Sequence, residues 1–321
     1  MKLIPLVAVV VAWMSAAPMV YGQAYPVKSV RVLIPWTPGA SNDIVGRVVF
    51  QRVSEQLGQQ FVVENRAGAA STIGTELVAR SAPDGYTILV NSATHVANAH
   101  LYSKLPYDPF KDFIGVTALA RQVGILVLHP SVPAKTVKEF IAFARARPNQ
   151  VVYASSGSGA FLHLTMALFN QMTGTRMLHV PYKGGSQAVI ALASGEVQAM
   201  ITGVAGVIQP MKAGRLRPLA VTSAERIAQF PEIPTLAEAG VPGYEFTAWI
   251  GSFVPAGTPK TIVDRLNAEV KKALEHPEVA KTLSVQTLDP MYMTPEEFAR
   301  LMKSDDAKYE RVIRISGAKI E

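Results

Sequence analysis

Glycine, serine and threonine residues recur at five places where a strand-like apolar run gives way to a helix-like pattern. Each place is a candidate anion site, because the first turn of a helix leaves backbone N–H groups unpaired and carries the positive end of the helix dipole. One such loop is weak evidence, since glycine and serine also serve turn geometry alone. Five loops that face one cleft would form a binding site. The five corners are Pro38–Asn42, Ala67–Ser71, Ser92–His95, Ser155–Ala160 and Lys183–Ser186.

The first corner shows this arrangement most clearly. Val30–Ile34 is an apolar run of strand type, and two prolines and a glycine follow it. Ser41 and Asn42 are N-cap candidates for a helix whose apolar residues recur every three to four positions. Asp43 then opens that helix, where a carboxylate complements the dipole, so we assign it a structural role.

Motifs for catalysis, cofactors or metals are incomplete. Gly157-Ser158-Gly159 has the wrong spacing for a nucleophile elbow and lacks the third glycine of a dinucleotide fingerprint. Lys183-Gly184-Gly185 lacks the rest of a phosphate-binding loop, and the five-residue spacing of His95 and His100 does not suit two metal ligands on one helical face. The chain has no cysteine, which excludes thiol catalysis and thiolate metal sites. We therefore predict no enzyme, no cofactor and no metal.

Three residues beside the corners have two interpretations each. His163 lies one turn into its predicted helix, where a histidine most often caps or packs, but it could also donate to a ligand oxygen. Trp36 and Phe161 lie beside the proposed cleft loops. Each either packs in the core or stacks on a planar ligand.

The order of elements predicts two α/β lobes. Three strand-loop-helix units open the chain, which is typical of a parallel, doubly wound sheet. A strand from Gly124 to His129 begins a second set of units, and the strand-like run Thr247–Val254 returns to the first. We predict a first lobe from residues 25–123 plus 247–321 and a second lobe from residues 124–246. Because ligands lie beyond the carboxyl ends of parallel strands, the corners of two facing lobes would meet in one cleft.

Length and composition fit an exported globular protein. The chain has 321 residues, 49% of them hydrophobic, and a net charge of +7 without any basic run, so we predict no nucleic-acid partner. Residues 1–24 are typical of a secretory signal peptide: Lys2, an apolar run from Leu3 to Met14, and then small residues. Cleavage after Gly22 or Ala24 would release a soluble periplasmic protein. The absence of cysteine excludes a lipid-anchored N-terminus.

Seven sequence blocks, in their order along the chain, resemble one known family. The first is Y-P-V-K-S-V-R-V-L-I-P-W-T-P-G-A-S-N-D-I-V-G-R at residues 25–47. The others are L-G-Q-Q-F-V-V-E-N-R-A-G-A (57–69), A-P-D-G-Y-T-I-L (82–89), L-P-Y-D-P-F-K-D-F (105–113), V-P-Y-K-G (180–184), L-A-V-T-S (219–223) and A-G-V-P-G-Y (239–244). Over essentially the whole mature chain, the sequence resembles the Bug receptors, the periplasmic substrate-binding proteins of tripartite tricarboxylate transporters.

The resemblance implies a monomeric protein of the type II periplasmic binding architecture. Its two lobes would close on a small carboxylate and deliver it to a two-component membrane permease. In that family the carboxylate is held largely by backbone amides, bridging waters and small hydroxyl side chains, often without an arginine clamp. Carried over by matching blocks, the binding residues would be Thr37, Pro38, Gly39, Ala40, Ser41, Ala70, Ser71, Ser92, Thr94, Ser155, Gly157, Ser158, Gly159, Ala160, Phe161, His163, Tyr182, Lys183, Gly184, Thr202 and Gly203.

The chain departs from the family pattern at three places. Ala40 replaces a second glycine, which narrows the backbone freedom of the first corner. Ile201-Thr202-Gly203 replaces Phe-Asp and a polar residue, so a partner for a ligand ammonium is lost and an amino-acid ligand is disfavoured. Phe161 replaces a residue that is commonly small. An apolar cleft with an added ring would suit a flat aromatic dicarboxylate such as terephthalate.

Two other functions stay open on the sequence. A receptor of this kind could report its ligand to a membrane sensor kinase instead of, or besides, a permease. A periplasmic enzyme acting on a carboxylate is the third alternative, although no nucleophile, metal cluster or complete cofactor loop supports it.

Overall fold

The strand-turn-helix unit predicted at the start of the chain is present in the structure, a computed structural model that describes residues 25–316. The first strand is Val30–Ile34 and the first helix is Ser41–Leu57. The helix ends at Gly58, whose φ of 64° is a left-handed conformation that glycine adopts without strain. The predicted N-caps are wrong. Ala40 is the N-cap residue and makes no side-chain bond, so Ser41 and Asn42 are the first two helical residues.

Eleven strands within residues 25–316 form two sheets. In chain order they are β1 (Val30–Ile34), β2 (Phe61–Asn65), β3 (Thr87–Ser92), β4 (Phe113–Gln122), β5 (Gly124–Leu128), β6 (Val152–Ser155), β7 (Leu178–Pro181), β8 (Ala199–Gly203), β9 (Arg217–Val221), β10 (Ala248–Pro255) and β11 (Leu288–Pro290). The strand order is β11-β4-β10-β3-β1-β2 in the first sheet and β7-β6-β8-β5-β9 in the second. We call each sheet with its flanking helices a lobe, and the first lobe is the one that contains β1.

Helices follow the strands as the predicted α/β order requires. In the described residues the α-helices are α1 (Ser41–Leu57), α2 (Thr72–Ala79), α3 (Thr94–Leu101), α4 (Val137–Arg145), α5 (Phe161–Thr173), α6 (Gly185–Ala193), α7 (Ile208–Lys212), α8 (Lys260–Glu275), α9 (Pro277–Val285) and α10 (Pro295–Ser316). The capping box predicted before α4 is confirmed. The Thr136 hydroxyl accepts from the Glu139 amide, and the Glu139 carboxylate accepts from the Thr136 amide.

Each sheet combines parallel and antiparallel strands. In the first lobe β2, β1 and β3 are parallel, and in the second lobe β7, β6 and β8 are parallel. β10 runs antiparallel between β3 and β4, and β5 runs antiparallel between β8 and β9. The sheets therefore differ from the parallel sheet that the strand-loop-helix order indicates, because the strands that enter and leave the second lobe insert in the opposite direction.

Buried apolar side chains hold the first corner in place. Val30, Val32 and Ile34 of β1 belong to the same core as Val45 of α1, whereas Leu33 belongs to a second core. Successive side chains of a strand point to opposite faces, so a strand covered on both faces is apolar throughout. The carboxyl end of β1 and the start of α1 are thus fixed by packing on both sides of the sheet.

The chain changes sheets at Val123, between β4 and β5, and returns to the first sheet with β10. The division into residues 25–123 plus 247–321 and residues 124–246 stays a prediction. α10 packs against α3 of the first lobe and α5 of the second. The indole Nε1 of Trp249 on β10 donates to the carboxylate of Asp305 on α10 at 2.8 Å. α10 therefore connects the two lobes.

Candidate functional site

A cavity of about 300 Å³ lies between the two lobes, at the carboxyl ends of β1, β3 and β8. Eight predicted binding residues line it: Gly39, Ala40, Ser41, Ser92, Thr94, Phe161, Thr202 and Gly203. The other lining residues are Trp36, Asn42, Gln122, Ser156, Leu162, Gly185, Ser186, Val189, Ile190 and Gly206. Corners from both lobes thus meet at one cavity. That these residues bind a ligand stays a prediction.

The remaining thirteen predicted binding residues lie outside the lining. They are Thr37, Pro38, Ala70, Ser71, Ser155, Gly157, Ser158, Gly159, Ala160, His163, Tyr182, Lys183 and Gly184. Several of them shape a corner from behind. The carbonyl of Ala160, for example, accepts from the amide of Leu164 in the first turn of α5. The hydroxyl of Tyr182 donates to the Glu196 carboxylate at 2.7 Å, on the exposed side of its corner.

Every side chain that lines the cavity is uncharged. Hydroxyl and carboxamide groups come from residues such as Ser41, Thr94 and Gln122, and apolar surface comes from Trp36 and Leu162. An anion in this space would be met by neutral hydrogen-bond donors, whereas an ammonium group would meet no carboxylate in the lining. The electrostatic preference of the cavity therefore depends on the orientation of backbone and side-chain dipoles.

Three helices begin at the cavity with unpaired backbone N–H groups. These groups have no hydrogen-bond partner in the part of the chain that the structure describes, and they belong to Ser41 and Asn42 (α1), Phe161 and Leu162 (α5), and Gly185 and Ser186 (α6). The first amides of a helix are left without intrahelical partners, and an anion or water can take their place. Both lobes contribute such groups, so a ligand with two anionic ends would find donors on either side.

Asp43 organises the first corner. Its carboxylate accepts from the Gly39 amide and from Arg47 Nε, both at 2.9 Å, and from Asn65 Nδ2 at 2.8 Å. Burial by itself would raise the pKa of Asp43, but these three hydrogen bonds outweigh it and hold the pKa below its ordinary value. The structural role predicted for Asp43 is confirmed. Because the Gly39 amide is used internally, the free donors of this corner are the amides of Ser41 and Asn42.

A buried hydrogen-bond network fixes Trp36 at the cavity wall. Its indole Nε1 donates to Oδ1 of Asn91 at 2.8 Å, and Nδ2 of Asn91 donates to the hydroxyls of Ser71 and Thr75 at 3.2 and 3.1 Å. The Asn91 Oδ1 also accepts from the Ser92 amide at 2.8 Å. Ser71 is buried in this network and supports Trp36 from behind, so it does not line the cavity.

The corner that contains Ser71 has an unusual backbone. Ala69, Ala70 and Ser71 have φ values of 45°, 48° and 77°, three successive left-handed conformations that side-chain-bearing residues rarely adopt. The carbonyls of Ala69 and Ala70 accept from the Tyr102 hydroxyl at 2.7 Å and from Asn98 Nδ2 at 3.0 Å. These bonds hold Ala70 and Ser71 behind the cavity wall.

Two histidines support the corner Ser155–Ala160 in the second lobe. The rings of His163 and His179 stack with centroids 4.0 Å apart. Nδ1 of His163 accepts from the Gly159 amide at 2.9 Å, and Nε2 of His179 is hydrogen-bonded to the Ser155 hydroxyl at 2.7 Å. Burial lowers the pKa of His163 to about 4, and burial together with the neighbouring His163 lowers that of His179 to about 3. Both rings are therefore neutral at pH 7, and His163 is placed as a support and not in the lining.

Two glycines bring the lobes into direct contact. A Cβ atom on Gly184 would lie 2.8 Å from Oγ1 of Thr37, and one on Gly203 would lie 2.9 Å from Nε2 of Gln122 and 3.0 Å from Oγ of Ser41. The φ values of Gly184 and Gly203 are 167° and −62°, which any residue can adopt. The closeness of the opposite lobe, and not the backbone conformation, therefore opposes a side chain at these positions, and more so at Gly184 than at Gly203, where the end of the Gln122 side chain can move.

Several lining residues are not among the predicted binding residues, and their local sequence signals are weak or lacking. Gln122 ends β4, a strand that the sequence pattern does not predict, and its Nε2 donates to Oγ of Ser41 at 3.2 Å. Val189 and Ile190 lie one turn into α6, where an apolar pair after a glycine-serine corner is the available signal. The sequence pattern gives Asn42 only a capping role. Ser156, Gly185 and Ser186 lie within predicted corners.

Comparison with known proteins identifies the family. Residues 45–318 match the family model described as "Tripartite tricarboxylate transporter family receptor". The chain belongs to this receptor family. Among curated relatives, the UPF0065 protein in the tcbD-tcbE intergenic region of Pseudomonas sp. (strain P51) is 38% identical over 90% of this chain and 87% of its own length. Protein BugT of Bordetella pertussis is 32% identical over 100% of this chain and 99% of its own length.

Solved structures of similar proteins share the architecture. R. palustris Rpa4515 with adipate is 35% identical, with a TM-score of 0.89 over 92% of this chain and 100% of that one. The periplasmic binding protein BugD is 28% identical, with a TM-score of 0.87 over 92% and 100%. MatC from Rhodopseudomonas palustris with bound malate is 30% identical, with a TM-score of 0.84 over 90% and 100%. The predictions of a two-lobed binding fold and of a solute receptor that is not an enzyme are confirmed.

The remaining predictions concern the signal peptide, membrane-spanning helices and metal binding. The predicted signal peptide, residues 1–24, lies outside the described residues. Between residues 25 and 316, no helix is both long enough and apolar enough to cross a bilayer. In the same range, no group of three or more His, Asp or Glu side chains is arranged to hold a metal ion.

Proposed function

We propose that this receptor captures a dicarboxylate with an apolar middle in the periplasm and delivers it to a tripartite tricarboxylate permease. One observation carries the proposal: an uncharged cavity has unpaired helix-start amides on both lobes and apolar side chains in its lining. Each carboxylate would accept hydrogen bonds from amides, directly or through water. Each helix start adds about 0.3–1 kcal/mol of electrostatic stabilisation, and up to about 2 kcal/mol where solvent is excluded.

The apolar part of the lining favours a ligand whose two charges are well separated. Trp36, Leu162 and Val189 offer apolar surface and no hydrogen-bond partner, because the indole N–H of Trp36 is already used by Asn91. A hydroxyl or a third carboxylate in contact with these side chains would stay unpaired. Removing a polar group from water without a new partner is unfavourable. Citrate would bring such groups, and an amino acid would bring an ammonium that meets no carboxylate.

Both an aliphatic and an aromatic dicarboxylate satisfy these conditions. The solved relative that contains adipate supports the aliphatic alternative. Phe161 supports an aromatic acid such as terephthalate less directly, because its ring already stacks on Phe246 with centroids 5.5 Å apart, which leaves only part of it for a ligand. Apolar contact with Trp36 and Phe161 would serve a methylene chain and a ring alike.

Calorimetric titration tests the proposed ligand class. The chain from residue 25 onward is titrated with adipate, terephthalate, malate, citrate, benzoate and glutamate. Adipate or terephthalate should bind most tightly, with benzoate roughly tenfold weaker or more because it satisfies one lobe only. Recovery of the unchanged ligand separates binding from turnover. Tight binding of citrate or glutamate, without binding of either apolar dicarboxylate, would overturn the proposal.

Delivery to a permease is tested in cells. Deletion of the gene should abolish uptake of the labelled dicarboxylate, and the intact gene should restore it. A receptor that only reports its ligand to a sensor kinase would leave uptake intact when an already expressed permease is supplied. Unchanged uptake in the deletion strain would therefore overturn the transport part of the proposal and favour the signalling alternative.

A further inference from the structure

The side chain of Asn42 is buried at the cavity wall, and no described residue forms a hydrogen bond with its amide group. It lines the cavity, is 6% exposed, and its Oδ1 has no hydrogen-bond partner. Buried side-chain amides in folded proteins are almost always hydrogen-bonded, so an unpaired one requires an explanation. The fold does not supply it. Asn42 is the second residue of α1, and this helix has no side-chain cap.

Position distinguishes Asn42 from other buried polar groups without a partner. Within residues 25–316 those groups are Arg52 Nε, His95 Nδ1, Asn98 Oδ1, His276 Nδ1 and Tyr309 Oη, and none of these residues lines the cavity. Asn42 is thus an unpaired amide placed where a small ligand would lie. A ligand that enters the cavity would supply the partner that the chain lacks.

The surroundings of Asn42 favour a negatively charged partner. The backbone amides of Ser41 and Asn42 are unpaired, and no charged side chain lines the cavity. The neighbouring Asp43 carboxylate is already occupied by the bonds from Gly39, Arg47 and Asn65. A carboxamide presents either its NH₂ or its oxygen by a half-turn of its last torsion, so Asn42 can add an N–H donor to the two backbone donors.

We propose that the side-chain amide of Asn42 binds one carboxylate of the captured dicarboxylate, and that residue 42 determines whether this end of the cavity accepts an anion. The inference rests on the proposed function. In this inference the side chain of Asn42 selects an ionised end group on the ligand, and the backbone amides alone do not make that selection. Asparagine both donates and accepts, aspartate only accepts, and leucine does neither.

Asparagine, aspartate and leucine at position 42 should give different ligand preferences. Asn42→Asp places a carboxylate against the ligand carboxylate in a site without cations, and like charges at such contacts are strongly unfavourable. The introduced carboxylate can, however, accept from the N–H groups of a ligand carboxamide. Asn42→Asp should therefore reverse the preference between a dicarboxylate and its half-amide. Asn42→Leu should weaken the dicarboxylate without such a reversal.

Titration calorimetry with a matched ligand pair tests the proposal. Adipate and its half-amide are titrated into the chain from residue 25 onward and its variants; if the wild type binds terephthalate more tightly, terephthalate and its half-amide are used. Asn42→Asp should lose roughly 100-fold or more in affinity for the dicarboxylate and bind the half-amide more tightly than the dicarboxylate. Asn42→Leu should lose roughly tenfold for the dicarboxylate.

Asn170→Asp is the matched control. It makes the same isosteric change and adds the same charge, but Asn170 lies near the far end of α5, where its Oδ1 accepts from the Thr175 hydroxyl at 2.8 Å. An aspartate keeps that acceptor. Asn170→Asp should therefore retain the wild-type preference, so that a general effect of added negative charge is separated from an effect at the cavity.

The possible outcomes separate this inference from the proposed function. A wild-type preference in Asn42→Asp, or full dicarboxylate affinity in Asn42→Leu, overturns the role of Asn42 while wild-type binding still supports the proposed function. Absence of dicarboxylate binding by the wild type overturns both. If thermal unfolding shows that Asn42→Asp does not fold, Asn42→Leu decides alone, because it removes the amide without adding charge.

Discussion

The two walls of the cavity are built differently. In the first lobe, hydrogen bonds made by buried side chains fix the wall: Asn91 accepts from the Trp36 indole, and Asp43 accepts from the Gly39 amide of the corner that ends in Ser41. In the second lobe the wall combines apolar side chains such as Leu162 and Val189 with hydroxyl groups such as that of Thr202, and glycines lie at the points of contact. The first wall is determined by bonds that exist without the ligand. The second has such bonds at its Ser155–Ala160 corner, and it also depends on how closely the lobes approach.

This difference indicates a division of tasks. A wall with internally satisfied polar groups keeps its shape before binding, so the donors of α1 are ordered in advance. The opposite wall contributes shape and the exclusion of water when the lobes come together. The contacts of Gly184 with Thr37 and of Gly203 with Gln122 set the limit of that approach. Both lobes would thus supply hydrogen-bond donors, and the approach of the second lobe would add selection by size.

The largest effect should follow from removing the hydrogen-bond network of the first wall. Asn91→Ala leaves the Trp36 Nε1 and the Ser92 amide unpaired. Since each unpaired buried donor costs about 1–3 kcal/mol, the free energy of unfolding should fall by about 4 kcal/mol. Denaturant titration measures this loss.

Asn91→Asp is the matched control for the network. It keeps the acceptor for Trp36 and Ser92 but loses the donor to Ser71 and Thr75. The introduced carboxylate is fully buried without a cation, so this variant is compared with Asn91→Ala at low pH, where the carboxyl group is neutral. There its loss of stability should be smaller than that of Asn91→Ala, and equal losses would contradict the view that Trp36 is fixed by the Asn91 oxygen.

Acidification should weaken the second lobe. Unfolding returns His163 and His179 from pKa values of about 4 and 3 to the ordinary value of 6.5, so the unfolded chain binds more protons between these limits. The free energy of unfolding should therefore decrease as the pH falls from 6.5 towards 4, by about 3 kcal/mol for His163 alone. Denaturant titrations across this range measure the slope. Replacement of both histidines by glutamine should flatten it, and an unchanged slope in that variant would refute the assignment.

Adding a methyl group at the contact between the lobes should weaken binding more than folding. Gly184→Ala places a Cβ atom 2.8 Å from Thr37 Oγ1, across the contact between the lobes. Overpacking of this kind costs about 1–3 kcal/mol, so the affinity should fall roughly tenfold to hundredfold while the melting temperature of the free protein changes little. Calorimetry with adipate and a thermal melt measure the two quantities.

A second substitution that restores binding gives a stricter test of whether the two lobes meet at Gly184 and Thr37. Thr37→Ala removes the atoms that the new methyl group would meet, so the double variant Gly184→Ala, Thr37→Ala should regain most of the lost affinity. Two independent losses that simply add would show that Gly184 and Thr37 do not meet in the bound state.

The smallest effect should come from a helix cap remote from the cavity. Thr136→Ala removes one half of the capping box of α4 and should lower the free energy of unfolding by about 1 kcal/mol. Adipate affinity should be unchanged, because Thr136 is not among the lining residues. A marked loss of affinity would show that strain in the second lobe reaches the cavity. The two walls would then differ less than we propose.

Local sequence signals predict the corners because the chemistry of a corner is local. Glycine, proline and serine after a short apolar run mark the ends of β1 and β6 and the starts of α1 and α5, and these positions do meet at the cavity. The family resemblance also predicts the order of the two lobes along the chain. Neither signal distinguishes a residue that lines the cavity from one that supports it, and Ser71 and His163 are supports.

The features that the sequence does not predict depend on contacts between residues far apart in the chain. β4 carries Gly115 in its interior and small residues near its end, so its sequence predicts no strand. It forms because β10, more than a hundred residues later, pairs with it. Gln122 reaches the cavity only through that pairing. The contact of Gly184 with Thr37 likewise has no local signal, since the backbone at Gly184 would accept any residue.

The uncharged lining has a consequence for how cargo is taken up and released. No side chain that lines the cavity gains or loses a proton near neutral pH. The pH dependence of capture, above the range in which the histidines titrate, therefore follows the ionisation of the ligand itself. Under the proposed function, release to a membrane partner would require no ion pair to be broken: when the lobes separate, water would replace the peptide donors at both ends of the acid.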